Sequence, residues 1–255
     1  MKKTNRVKLF LALGTLMVMT ASPNYANAVK DAQFSGSLYF SPGGTGWVKK
    51  TNQAGNLSLN ISQPDYSYNG SVQLSGGSHP TVNLSVSQVS SGPPFYLWNQ
   101  SSGQITYYVQ VNKRKADAPD VDYFPLLGSS TGSMVASPGA MGVAIQAKLG
   151  GSYIINQNIY DSGPWTGSNT IKVYTRVYTG LVSDIEVYIY AACSGSSNPG
   201  SCQAIIDTKI QIDPTWMVSY HGQNVPGSEL YSLTFSNGFA PTVPIPSAVL
   251  YLLLE

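Results

Sequence analysis

Apolar and polar residues alternate along much of this chain with a period of two. In "VKDAQFSGSLYF" (29–40) Ala32, Phe34, Gly36, Leu38 and Phe40 take every second place. Gln33, Ser35 and Ser37 stand between them, with Tyr39 the exception. A two-residue period puts one row of side chains on one face of a strand. The pattern recurs in "NLSLNIS" (56–62), "TVNLSVSQVS" (81–90) and "QITYYVQVN" (104–112), where Ile105, Tyr107, Val109 and Val111 share a face. It returns in "NTIKVYTRVYTG" (169–180), "SDIEVYIYAAC" (183–193) and "DTKIQID" (207–213). In "ELYSLTFSNG" (229–238) Leu230, Leu233 and Phe235 fall out of strict step, which predicts a bulge. No stretch carries a convincing helical stripe. "GAMGVAIQAKLGGS" (139–152) comes nearest and reads as a strand or one short helix.

Gly, Pro, Asn and Ser clusters predict the turns between these segments: "SPGGTG", "YNG", "SGG", "SSGPP", "SSTGS", "SPG", "DSGPWTG", "SSNPGS", "VPGS" and "SNG". Strands at this spacing, without long helices, predict an all-β fold. The expected architecture is an immunoglobulin-like antiparallel β-sandwich, open to completion by a donated strand. The far end is also strand-like. In "APTVPIPSAVLYLLLE" (240–255) Val243, Ile245, Val249, Tyr251 and Leu253 lie on one face, and Ala248, Leu250, Leu252 and Leu254 on the other. A strand apolar on both faces is expected to be covered on both. Pro244 and Pro246 lack amide donors, which places that part at a sheet edge or just outside pairing.

The start of the chain changes the organisation. Lys2, Lys3, Arg6 and Lys8 precede an apolar run over 9–19, and "ANA" (26–28) is a small-x-small cleavage site. The run is about 11 residues, well short of the roughly 20 that span a bilayer. Residues 1–28 therefore read as a secretory signal peptide, 29–41 as an N-terminal strand and 42–255 as a single β-sandwich domain.

Charge follows the same division. The chain has 14 Lys and Arg against 12 Asp and Glu, and four of the basic residues lie in the leader, leaving a balance near −2. No strong field remains for nucleic acid or anionic lipid. Charged residues are 10% of the chain, against a usual share of about 25%. Such a composition suits an exported β protein in which Ser and Thr cover the outward faces. Cys193 and Cys202, in "AACSGSSNPGSCQA", predict a disulfide in an oxidising compartment.

Catalytic signatures are sparse. The two histidines, His79 and His221, lie in turn-like segments, and no G-x-S-x-G elbow occurs. Asp117, Asp120 and Asp122 cluster, but Lys113, Arg114 and Lys115 beside them oppose a cation. No enzyme, metal or cofactor is expected. Aromatic rings near turns are better candidates for binding. Tyr96, Trp98 and Trp165 could stack on sugar faces, although Trp98 and Trp165 read first as core rings or loop plugs.

Two strand-like ends on an exported chain admit two arrangements. Either both strands belong to the chain's own sheets, or the first is offered to another copy by strand addition. The leader, "AQFSGSLYF", the Cys pair and "VPIPSAVLYLLLE" resemble subunits of Gram-negative chaperone–usher fimbriae, above all the larger subunits that both polymerise and adhere. The resemblance implies that Phe34, Gly36, Leu38 and Phe40 form a donor strand, with Gly36 at a shallow place in the groove. It implies that Val243, Ile245, Val249, Tyr251 and Leu253 edge the groove and meet the chaperone. The implied partners are other fimbrial subunits, a periplasmic chaperone, an outer-membrane usher and a host glycan or receptor. The implied destination is the periplasm and then the cell surface. Leu254 stands where many members carry an aromatic residue, and the Cys pair lies late rather than early. The alternatives are a self-contained secreted carbohydrate-binding sandwich and a secreted pore-forming toxin.

Overall fold

The alternating rows assemble into two antiparallel sheets in a computed structural model that describes residues 28–41, 46–51, 53–91, 98–137, 141–160, 162–176, 184–195 and 199–240. The strands are β1 (Gln33–Ser41), β2 (Gly46–Thr51), β3 (Gly55–Gln63), β4 (Tyr66–Ser75), β5 (Thr81–Ser90), β6 (Trp98–Lys113), β7 (Tyr123–Ala136) and β8 (Met141–Leu149). They continue with β9 (Ser152–Ile159), β10 (Gly163–Arg176), β11 (Ile185–Gly195), β12 (Gly200–Ile212), β13 (Met217–Tyr220) and β14 (Gln223–Pro226). One helical turn, α1 (Gly227–Leu230), leads into β15 (Tyr231–Phe235).

The first sheet runs β2-β1-β6-β11-β8-β9, with β15 also on β6, and the second runs β10-β7-β12-β5-β4-β3. The sheets pack face to face as an all-β sandwich. The chain crosses between them at both flanks, from β2 to β3 and from β9 to β10. Asn169 on β10 donates to the Ile154 carbonyl on β9 at 2.8 Å and stitches the second flank.

The core is built from the predicted rows. Leu38 and Phe40 on β1, Val82 and Leu84 on β5, Ile105 and Tyr107 on β6, and Val187 and Ile189 on β11 are all buried. Outward positions of the second sheet carry Ser58 and Asn60, Asn69 and Ser71, Ser85 and Ser87, and Ser201 and Gln203. Neutral hydrogen-bonding side chains thus do the solvating that charges usually do.

The structure resolves one open reading and corrects others. Of the two readings of "GAMGVAIQAKLGGS" the strand holds, as β8. Gly150 and Gly151, with φ of 55° and 84°, form the two-residue turn into β9, and that turn needs left-handed residues. "ELYSLTFSNG" holds no bulge: Leu230 closes α1, and β15 then pairs with β6 in unbroken register. The predicted turns "YNG" and "SSTGS" lie inside β4 and β7. Their glycines make room for large side chains: a Cβ on Gly70 would fall 2.5 Å from the Tyr68 hydroxyl, and one on Gly132 would fall 2.4 Å from Ile145 Cδ1. Glycine inside a strand marks close approach as often as a turn.

The disulfide forms between Cys193 on β11 and Cys202 on β12, both buried. Since β11 and β12 belong to opposite sheets, the bond ties the two layers together.

Candidate functional site: the slot of the first strand

β1 lies between β2 and β6 and is antiparallel to both, with Leu38 opposite Val48 on one side and Ser101 on the other. Its four alternating positions come together on the core face. Phe34 stacks on Phe239 at 5.7 Å between ring centroids, and Phe40 stacks on Tyr68 at 4.6 Å. Leu38 is fully buried. Burying a side chain such as Leu38 or Phe40 contributes about 2 kcal/mol each. On the other face Ser37 and Ser102 share a hydrogen bond at 2.9 Å.

Gly36 stands directly opposite Gly103 of β6. A Cβ on Gly36 would meet Leu74 and Val72 at 3.5 Å, ordinary contact. A Cβ on Gly103 would fall 2.6 Å from Val82 Cγ1 and 3.0 Å from Val72 Cγ1. The crowded glycine of the pair is therefore the one on the slot wall.

β6 is long enough to hold two strands end to end along one edge. β15 pairs with it from Lys113 to Val109, and β1 from Thr106 onward. The junction is fastened by Ser236. Its hydroxyl donates to the Lys30 carbonyl at 2.6 Å and accepts from the Tyr108 amide at 2.9 Å. Phe239 adds a stack on Tyr107 at 4.5 Å. Sequence reading missed Ser236 and Phe239 because "SNGF" shows only a turn; nothing local marks a residue that bonds a segment 206 positions away.

The other candidates lie elsewhere. Trp165 is partly buried on β10, where its ring lies against Gly167 and near Gly132, a packing position rather than an exposed platform. The backbone of Trp98 opens β6 opposite Ser41. Tyr96, Val243, Ile245, Val249, Tyr251 and Leu253 fall outside the described residues. His221 and Gly222 form the left-handed turn between β13 and β14, with φ of 50° and 78°. His221 Nε2 lies 3.0 Å from Asp117 Oδ2, which also accepts from the Tyr220 hydroxyl at 2.8 Å. These bonds, Tyr220 first, hold the Asp117 carboxyl below the usual carboxylate range. Among the described residues no group of His, Cys, Asp and Glu is placed to hold a metal ion.

Fold and slot together define an all-β antiparallel sandwich whose first strand is a core component bordered on both sides. No protein-family model matches the chain, and no curated protein matches its sequence.

Proposed function

We propose that the chain is an exported subunit of a bacterial surface fibre, assembled by exchange of β1 between copies. The observation that carries this reading is the placement of β1. It fills an apolar slot with Phe34, Gly36, Leu38 and Phe40, and it is the first of the described strands. A β1 inserted into a neighbour's slot makes the same ladder bonds and core contacts, because the slots are identical. Exchange therefore costs little contact energy, and a head-to-tail exchange that does not close produces a fibre. An emptied slot exposes Leu57, Val72 and Leu74 beside two unpaired strand edges, an aggregation hazard. That hazard is the physical reason for a periplasmic chaperone as partner; an outer-membrane usher is what the resemblance to fimbrial subunits adds.

The test compares the full chain with one lacking residues 29–40. The full chain, expressed with export and brought to high concentration, should give ladders resistant to unheated detergent gels. The truncated chain should give none, and should be captured by a synthetic peptide of residues 29–41. Ladders from the truncated chain, or a full chain that stays monomeric under mild denaturant, would remove β1 from the role.

A second reading is a self-contained carbohydrate-binding sandwich. It is favoured by the pairing of β1 within its own chain, where it fills the slot between β2 and β6. A permanently monomeric full chain would support it.

A further inference from the structure

The outer face of the first sheet carries a shallow trough of about 190 Å³, distant in role from the β1 slot. Gly142, Ala144 and Ala192 make its floor. The floor is low because two adjacent rungs of the sheet, Ser194–Gly142 and Ala192–Ala144, carry small residues. Tyr190, on the next rung, and Tyr160, just beyond β9, rise beside it. Tyr160 is 73% exposed, too open for a packing role. Gln100, Asn158 and Ser194 add two amides and a hydroxyl to the lining.

The trough wall is braced. Tyr190 stacks on Tyr188 with centroids 6.3 Å apart. Lys148 lies over both Tyr188 and Tyr153, with Nζ at 5.4 and 4.5 Å from the ring centroids. The cation is thereby engaged with rings on the neighbouring rung and is not part of the lining. On Tyr190's own rung Asn156 accepts from Gln146 at 3.1 Å. A ring held this way needs little ordering when a ligand arrives.

We infer that this trough binds one neutral sugar ring. The chemistry selects that ligand in three ways. Among the described residues no charged side chain lines the trough, which favours a neutral ligand. Tyrosine faces take the C–H face of a pyranose, while amides and hydroxyls at the rim bond its hydroxyls in either direction. The volume takes a single ring rather than a buried chain. By contrast, the larger depression on the second sheet, about 400 Å³, is lined by Ser, Asn and Gln with no aromatic side chain, so it offers hydrogen bonds without a stacking face. Trp98 lies two positions before Gln100 on β6, which puts the trough at the end of the sheet where sequence reading sought a glycan contact. The inference does not rest on strand exchange, since a monomer has the whole trough.

The test is saturation-transfer NMR on the purified full chain with the methyl glycosides of glucose, galactose, mannose and N-acetylglucosamine, each at millimolar concentration. Transfer to the ring C–H protons of at least one is expected, with an affinity on the order of millimolar for so open a site. Tyr160→Ala and Asn158→Ala should each weaken it about tenfold, while Tyr174→Ala, on the second sheet, should leave it unchanged. Circular dichroism of each variant checks that the sandwich persists. No transfer to any of the four, or transfer that survives a Tyr160→Ala and Tyr190→Ala double substitution, overturns the assignment.

Discussion

The Ser236 hydroxyl donates to the Lys30 carbonyl at 2.6 Å, joining parts of the chain 206 positions apart. Ser236 is fully buried and also receives the Tyr108 amide. One side chain therefore holds the entry of β1 against the end of β15. Ser236→Ala leaves a carbonyl and an amide to find other partners, at a cost of about 1–2 kcal/mol. Urea unfolding should show that loss. Hydrogen exchange should quicken at Gln33 and Phe34 more than at Leu38. Uniform acceleration along β1 would show that Ser236 stabilises the whole fold and does not fasten the strand's entry.

Gly36 and Gly103 face each other across β1 and β6, yet they should respond differently to a methyl group. Gly36→Ala meets only ordinary contacts and should be neutral or slightly stabilising. Gly103→Ala presses on Val82 and Val72 and should cost about 1–3 kcal/mol. Equal melting-temperature losses for the two would contradict the packing of the slot.

Asp213 is buried, with Lys172 and Thr215 on its carboxylate. Burial alone would raise its pKa; the hydrogen bonds from Lys172 and Thr215 outweigh it and hold the carboxyl below the ordinary range. The folded state thus takes up this proton at lower pH than the unfolded chain, whose Asp titrates near about 3.9. The stability from Asp213 is present above that pH and lost as pH falls through the lowered folded pKa. The urea midpoint should drop steeply below about pH 4, and Asp213→Asn should flatten that limb while lowering the midpoint at neutral pH. An acid limb unchanged by Asp213→Asn would assign it to other carboxylates.

Much of the strand content was legible because a half-buried strand writes its two faces into alternate residues. The rows of 104–112 and 185–193 each became one face of a core strand. Strands with glycine where a large side chain crosses were misread. Gly70 and Gly132 look like turns until Tyr68 and Ile145 are seen beside them. Leu230 fell out of step because one helical turn precedes β15, and four residues are too few for a helical period to show.

The site divides in the same way. Phe34, Gly36, Leu38 and Phe40 could be chosen from their alternation alone. Their partners could not, since Val72, Leu74, Tyr68 and Phe239 come from segments with no sequence link to β1. The trough is harder still. Tyr160, Tyr190, Asn158 and Gln100 sit on three strands and a turn, each an unremarkable outward position on its own.

The sequence by itself determined the all-β class, the apolar row of the first strand and the pairing of the only two cysteines, because each depends on local period or on a count. Tertiary structure decided that β1 lies between β2 and β6 and that the disulfide joins opposite sheets. It also decided that two tyrosines share one trough. Strand order and register are set by long-range packing, where the free energy belongs to pairs of distant residues and leaves no mark on either segment alone.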